Sequence, residues 1–388
     1  MSKKVKKTSL KLIVLLSLII TLGFLIYKLG VLNKLTSYNS LPLGRIVFGS
    51  STYVLGVFDL ATKTTKPLDN SIVNKYSGYS QPIISPDGKR FVTKLYKPEV
   101  KGDVGDYFIF DLTINTSKEL NINYIKDQIG SQYEIRVNTW SSDSKKIILN
   151  ARDIKNFMDD RCCEGGDYRK SKNLVLEYDP NSMRSKVIHS TNTSPIHSVF
   201  YNSDKSLLAY VDSYYAKGHL VNLITNTTEE FIYGESNGFY NDNVGHEYFV
   251  QTDTNNQKIF LSSFYEPLKT ITTIARNESG NSVYWSPTGQ YFIVSSGFGN
   301  EKYEEGLQYF RIYKSDGTLF KMVKAPASIN FILSPNGKFI LTSDKFGVGG
   351  QTGEYQNLGV DWNITNTSNG DKPFSSFYSE GTPFLWVD

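Results

Sequence analysis

Cysteine is nearly absent: the 388 residues hold two, adjacent at Cys162 and Cys163. One adjacent pair can build neither a multi-bridge disulfide scaffold nor a zinc ribbon or finger. Histidine is also scarce, with four copies, which limits metal chemistry further. Beyond Leu43 no stretch of useful length repeats apolar residues at the spacing of a helix. Basic charge is lacking where a nucleic acid would need it. Seven of the 42 Lys and Arg (Lys3, Lys4, Lys6, Lys7, Lys11, Lys28 and Lys34) fall in the first 34 residues, where no acid occurs. The rest of the chain, which holds all 38 Asp and Glu, is slightly acidic, and phosphate neutralisation needs a basic face on the folded part. A nucleic-acid partner is therefore not expected. With 39% hydrophobic and 14% aromatic residues, the chain is too apolar to be disordered.

One long uncharged run exists, from Leu12 to Tyr27, bracketed by Lys11 and Lys28. As a helix it measures about 24 Å, and it reaches the ~30 Å hydrocarbon core when Leu29 to Leu32 join and the lysines snorkel. Tyr27-Lys28-Leu29-Gly30-Val31 offers no small-residue cleavage site. The expected organisation is a cytoplasmic basic tail (1–11), a single-pass signal anchor (12–32), a tether (33–42) and an extracytoplasmic domain (43–388). The alternative is a cleaved signal peptide and a secreted domain. The excess of lysine before the run places the N-terminus in the cytoplasm.

What fills the domain is a repeat of short β runs separated by polar turns, an all-β pattern. Ile83 to Val92, Tyr284 to Ile293 and Ile332 to Leu341 each read strand, Ser-Pro-(Asp/Thr/Asn)-Gly, strand. Thr139 to Ile148 and Phe200 to Ala209 are weaker copies, and Thr254 to Leu261 is a degenerate sixth. Proline presets φ and glycine accepts a positive φ, so each copy predicts a hairpin. A third strand follows at Tyr107 to Leu112, Leu174 to Asp179 and Tyr309 to Tyr313, then a polar turn and a fourth.

Strand, Trp-Ser-Pro-Asp-Gly-Lys turn, strand, loop, strand ending in Asp, turn and strand resembles the TolB-like and WD-like β-propeller repeat, from about Leu43 to Asp388. The resemblance implies four-stranded blades, and the length favours seven, with six as the alternative. Arg45 to Ser50 and Val54 to Leu60 match second and third strands, whereas Thr382 to Asp388 matches a first strand and then stops. Each end holds what the other lacks, so the C-terminal strand is expected to close the ring, with Trp386 between the first and last blades.

Chemical motifs are weak. Gly234-Glu235-Ser236-Asn237-Gly238 matches a nucleophile elbow, but only His246 follows and the context is β-repeat, so a polar loop is expected. Gly347 to Gly353 lacks the Lys-Ser or Lys-Thr of a phosphate loop, and Asp103 to Asp106 lacks the alternating ligands of a calcium loop. Four long connections, Lys97 to Asp106, Arg152 to Lys172, Gly297 to Gly306 and Asp344 to Gln356, all join second and third strands. They are expected to cluster on one face. The longest holds Asp159, Asp160, Arg161 and Glu164, both signs of charge for a polar partner. It also holds Cys162 and Cys163, for which a vicinal disulfide, two free or intermolecular thiols, and a metal site remain open. The expected function is binding or scaffolding of a protein, peptide or cell-envelope polymer, with no cofactor, no metal and no catalytic residue. The alternative is a hydrolase or lyase with a central-channel site, for which His197 and His246 are the candidates.

Overall fold

The computed structural model describes residues 44–387 except 51–53, 73–74, 81, 99–104, 155–170, 194–195, 202–203, 205, 213–216, 233–238, 241–247, 254–257, 264–268, 274–282, 296–306, 327–330, 344–359, 368–374 and 380. The described strands form seven antiparallel sheets, each a meander from an inner first strand to an outer fourth. Seven blades, not six, thus account for the described strands.

The first sheet joins the two ends of the domain: Gly381–Val387 lies innermost, beside Arg45–Ser50, Val54–Asp59 and Thr64–Pro67. Ile46 pairs with Trp386 and Arg45 with Val387. The next five sheets and the last follow in chain order, and their second strands are Arg90–Tyr96, Ile147–Asp153, Leu207–Asp212, Tyr248–Asp253, Tyr291–Ser295 and Phe339–Ser343. In the second sheet the inner strand is broken into Gly78–Tyr79 and Ile83–Ile84. A proline, Pro82, stands in the break; it has no N–H to give the ladder.

The core lies between sheets. Second strands are buried on both faces, so consecutive residues feed different seams. Phe91 packs toward the first sheet and Val92 toward the third; Phe292 packs toward the fifth and Ile293 toward the seventh. Trp386 meets Ile332, Phe339, Leu341 and Trp362 of the seventh sheet, its ring stacked on Phe339 at 6.0 Å. Among the described residues, six of the seven seams carry such an apolar layer.

The turn between first and second strands has one recurrent device. In the second sheet Ser85 is fully buried; its N–H donates to the Arg90 carbonyl (2.8 Å), and its Oγ accepts the Arg90 N–H (2.9 Å). Gly88 then donates to the Ser85 carbonyl (2.8 Å) with φ at 67°. Ser141, Ser286 and Ser334 repeat the arrangement, with Ser144, Gly289 and Gly337 at the positive φ. The serine hydroxyl, more than the proline, is the constant part, because the weak copy at Ser141 keeps it without Pro or Gly. Turns also tie neighbours: Asp87 N–H donates to Ser144 Oγ (2.9 Å), and Thr288 Oγ1 to the Pro335 carbonyl (3.2 Å).

Three expectations need correction or placement. The degenerate copy at Thr254 to Leu261 joins the second and third strands of the fifth sheet, not the first and second. Asn-rich hairpins share one vocabulary at either position, so composition alone does not separate them. A helix, Ile122–Ile129, stands between the second and third sheets, capped by Asn121 Oδ1 on the Tyr124 N–H (3.0 Å). It buries Ile125 in their seam, and at eight residues it is too short for periodicity to reveal. Finally, among the described residues no helix is long and apolar enough to cross a membrane; the run Leu12 to Leu32 lies outside them.

Two outcomes follow. Trp386→Ala should cost about 3 to 5 kcal/mol in denaturant unfolding, because it empties the closing seam. Ser141→Ala should cost about 1 to 3 kcal/mol by leaving turn donors without an acceptor, whereas the exposed Ser182→Ala should change little.

Candidate binding surface at the loop end of the second and third sheets

Because each sheet is a meander, the turns joining first to second and third to fourth strands share one end, and the connections from second to third strands leave from the other. The four long connections singled out in the sequence all occupy that second position. Asp159, Asp160, Arg161, Cys162, Cys163 and Glu164 lie outside the described residues, as do Ser236, His246 and Gly347 to Gly353. His197 stands in the inner strand of the fourth sheet.

What the structure brings together at the loop end is a set of strand residues from the second and third sheets, near the strand ends that the longest connection joins. Lys94 Nζ lies 5.7 Å from the Tyr96 ring and 6.0 Å from the Tyr107 ring. Tyr107 is next to Arg136 and Glu134 of the third sheet's inner strand, and burial is the main cause that pushes its hydroxyl pKa up. Arg136 and Glu134 form an exposed ion pair at 2.9 Å, worth little to stability and available to a partner. Register places Arg152 opposite Glu134, at the foot of the connection. Burial lowers the Arg152 pKa and Glu134 opposes that effect. To one side, Asp106 accepts from Lys97 Nζ (2.9 Å) and from the Tyr76 hydroxyl (3.3 Å). Tyr76 is thereby pushed up to about 12, first by burial and then by the Asp106 charge. Asp106 is thus engaged by neighbouring side chains. Among the described residues no group of three or more His, Cys, Asp or Glu could hold a metal.

None of Lys94, Tyr107, Glu134, Arg136 or Arg152 stands out in the sequence, since each sits inside an ordinary β run. Glu134 and Arg136 simply alternate with Tyr133, Ile135 and Val137 along the inner strand, as polar residues do in any half-buried strand. Tyrosine and arginine around a mixed-charge centre is the composition of protein-interaction surfaces.

Behind this surface, the seam between the third and fourth sheets turns polar. Asn150 Nδ2 donates to the Ile196 carbonyl (3.0 Å). Tyr210 stacks on His219 at 4.7 Å and lies 5.6 Å from His189, and its hydroxyl donates to Thr191 Oγ1 (3.4 Å). The charged groups that register puts on the facing sides include Glu134, Arg136, Arg152, Glu177 and Lys186 from the third sheet and Glu230 from the fourth. Burial, and then the neighbouring His219, lowers the His189 pKa. Native His189 therefore stays neutral where the unfolded chain, with histidine near pH 6.5, takes a proton. Stability is full above about pH 6.5 and falls as the pH drops through the lowered value. The melting temperature should accordingly decline between about pH 7 and pH 5, and His189→Gln should flatten that slope; an unchanged slope assigns the acid sensitivity elsewhere.

No protein-family model matches the chain, and no curated protein matches it by sequence. Solved structures do. An oligogalacturonate lyase from Vibrio parahaemolyticus is similar with a TM-score of 0.50 at 11% identity, over 79% of this chain and 89% of that one. TolB from Acinetobacter baumannii gives 0.41 at 13% identity, over 86% and 76%. Hsv2 from Kluyveromyces lactis gives 0.41 at 11% identity, over 74% and 73%. At such identities the likeness concerns the fold alone.

Proposed function

We propose that this β-propeller is a membrane-anchored, extracytoplasmic binding module that presents its loop end to a protein, a peptide or a cell-envelope polymer. The reading is carried by the loop-end cluster, where Lys94, Tyr96, Tyr107, Glu134, Arg136 and Arg152 sit on rigid strands at the base of the longest connection. Loops on a rigid scaffold are where propellers carry variable recognition. Asp159, Asp160, Arg161 and Glu164 add charges of both signs to the connection, and a vicinal disulfide between Cys162 and Cys163 would stiffen it. The apolar run from Leu12, with lysines before it, supplies the anchor, and residues 33–42 form a tether of at most about 35 Å.

Catalysis in the central channel is the weaker reading. Of its two candidates, His197 stands in an inner strand and His246 lies outside the described residues, while His189, in an outer strand, and His219, in a third strand, both pack on Tyr210 in a seam between sheets.

The test is capture from a native envelope extract by the full chain. Replacing Asp153 to Ser171 with a short Gly-Ser link should abolish capture while the melting curve holds. Arg136→Ala should weaken capture about tenfold, the loss expected of a modest hot spot. Capture that survives both changes rejects the loop end as the binding surface.

A further inference from the structure

The outer fourth strands form the rim of the propeller, and the sixth sheet's rim differs from the others. Its outer strand, Leu319–Pro326, is eight residues long and, among the described strands, pairs only with Leu307–Lys314. Leu319 is 52% exposed, Phe320 44% and Met322 55%, and Tyr309 on the neighbouring strand is 38% exposed. Three exposed large apolar residues thus stand on one edge strand. Every other outer strand has at most one among its described side chains, Val187 in the third sheet. The core does not require them. Val323 of the same strand fills the seam toward the seventh sheet, and Phe320 only skirts that seam, its ring 5.2 Å from Tyr291.

An edge strand turns every second N–H and C=O away from its sheet, where another chain can pair with them. From Lys321 to Pro326 the pairing with the third strand runs without a break, so the outward groups form a regular row. The single irregularity leaves Phe320 without an opposite residue, and Pro326, which has no N–H, ends the row. Charge along this row is of one sign. The described strands of the sixth sheet hold Arg311, Lys314, Lys321 and Lys324 and no Asp or Glu. The outer strands on either side, Lys269–Thr273 and Ser375–Ser379, add one lysine and no acid. Asp316, in the turn before the edge strand, accepts the Thr318 N–H (2.8 Å). Lys321 stands opposite Ile312 and Lys324 opposite Tyr309, so the two lysines, three places apart, lie on opposite faces of the strand.

We infer that this edge takes up an extended acidic and apolar peptide as a fifth strand of the sixth sheet. Two carboxylates three places apart meet Lys321 and Lys324, and apolar residues between and beside them cover Leu319, Phe320 and Met322. Main-chain hydrogen bonds give such a strand its hold, and the side chains select it. A second copy of this chain fits less well, because two such edges side by side would put four lysines on adjacent strands with no acid among them. The surface lies on the rim and is independent of the loop end.

The test uses the full chain with Cys162→Ser and Cys163→Ser, and a labelled probe peptide of the strand's own length, eight residues of valine and threonine with two glutamates three places apart. Fluorescence anisotropy should show saturable binding, and the same peptide with lysine for both glutamates should not bind. Methyl groups on consecutive backbone nitrogens block both edges of the peptide and should also remove binding, as strand addition requires and plain charge attraction does not. Lys321→Glu combined with Lys324→Glu should weaken binding about tenfold at an unchanged melting temperature. A cysteine placed between the glutamates should form a disulfide with Met322→Cys and not with Glu229→Cys on the outer strand of the fourth sheet. Absence of binding, equal binding of the lysine or the methylated peptide, or linkage at 229 overturns the inference. Chains carrying Met322→Cys that link to one another rather than to the peptide assign the edge to a second copy, which overturns it too. If the double charge reversal lowers the melting temperature, the cross-link decides alone.

Discussion

Burial of the second strands on both faces is the constraint from which the rest of this molecule follows. A strand such as Arg90–Tyr96 or Tyr291–Ser295 has no face to offer water, so every sheet needs a neighbour on each side. An open row of such sheets would leave two apolar faces bare, and a ring leaves none. The pairing of Arg45–Ser50 with Gly381–Val387 is the local answer to that global demand. It sets Leu385 and Val47 in the seam toward the second sheet, and Trp386 and Ile46 in the seam toward the seventh.

Much of this was legible in the sequence because it depends on local chemistry. The Ser-Pro-Asp-Gly turns, the third strands ending in Asp179 or Asp111, and the complementary ends of the chain all report short-range geometry, and all stand where expected. The helix at Ile122–Ile129 escaped because eight residues give too little pattern, and its stability comes from Ile125 in the seam. The turn serines were visible as letters but not as a device: a buried Oγ accepting a backbone N–H is a tertiary fact. The candidate surface was less legible still. Lys94, Tyr107 and Arg136 come from two sheets, and nothing local announces that Tyr107 will lie beside Arg136. The residues that the sequence did single out, around Cys162, lie outside the described part.

The two ends of the propeller treat charge differently, for one physical reason. At the turn end, carboxylates are spent on backbone donors that tight turns would otherwise leave unsatisfied. Asp179 shows how far this goes: Lys146 Nζ at 2.6 Å and the Asn181 N–H hold its carboxyl well below the usual carboxylate range. At the loop end, chain reversal is left to long connections, and side chains such as Glu134 and Arg136 are free of that duty. They can pair with each other at the surface and serve something other than the fold.

Ring closure through the first sheet has a consequence for how the protein is made. Ribosomes deliver Arg45–Ser50 before, and Gly381–Val387 after, all the other described strands, so the first sheet waits without its inner strand while the other six are made. During that time the inner edge of Arg45–Ser50 has free N–H and C=O groups, and Ile46, Phe48 and Phe58 have no seventh sheet to cover them. Six later sheets can assemble on neighbours already present; the first cannot. A chain lacking only Gly381–Val387 would keep every other described strand and have a permanently open edge. The strand Gly381–Val387 therefore acts as a check that the six sheets before it have been made.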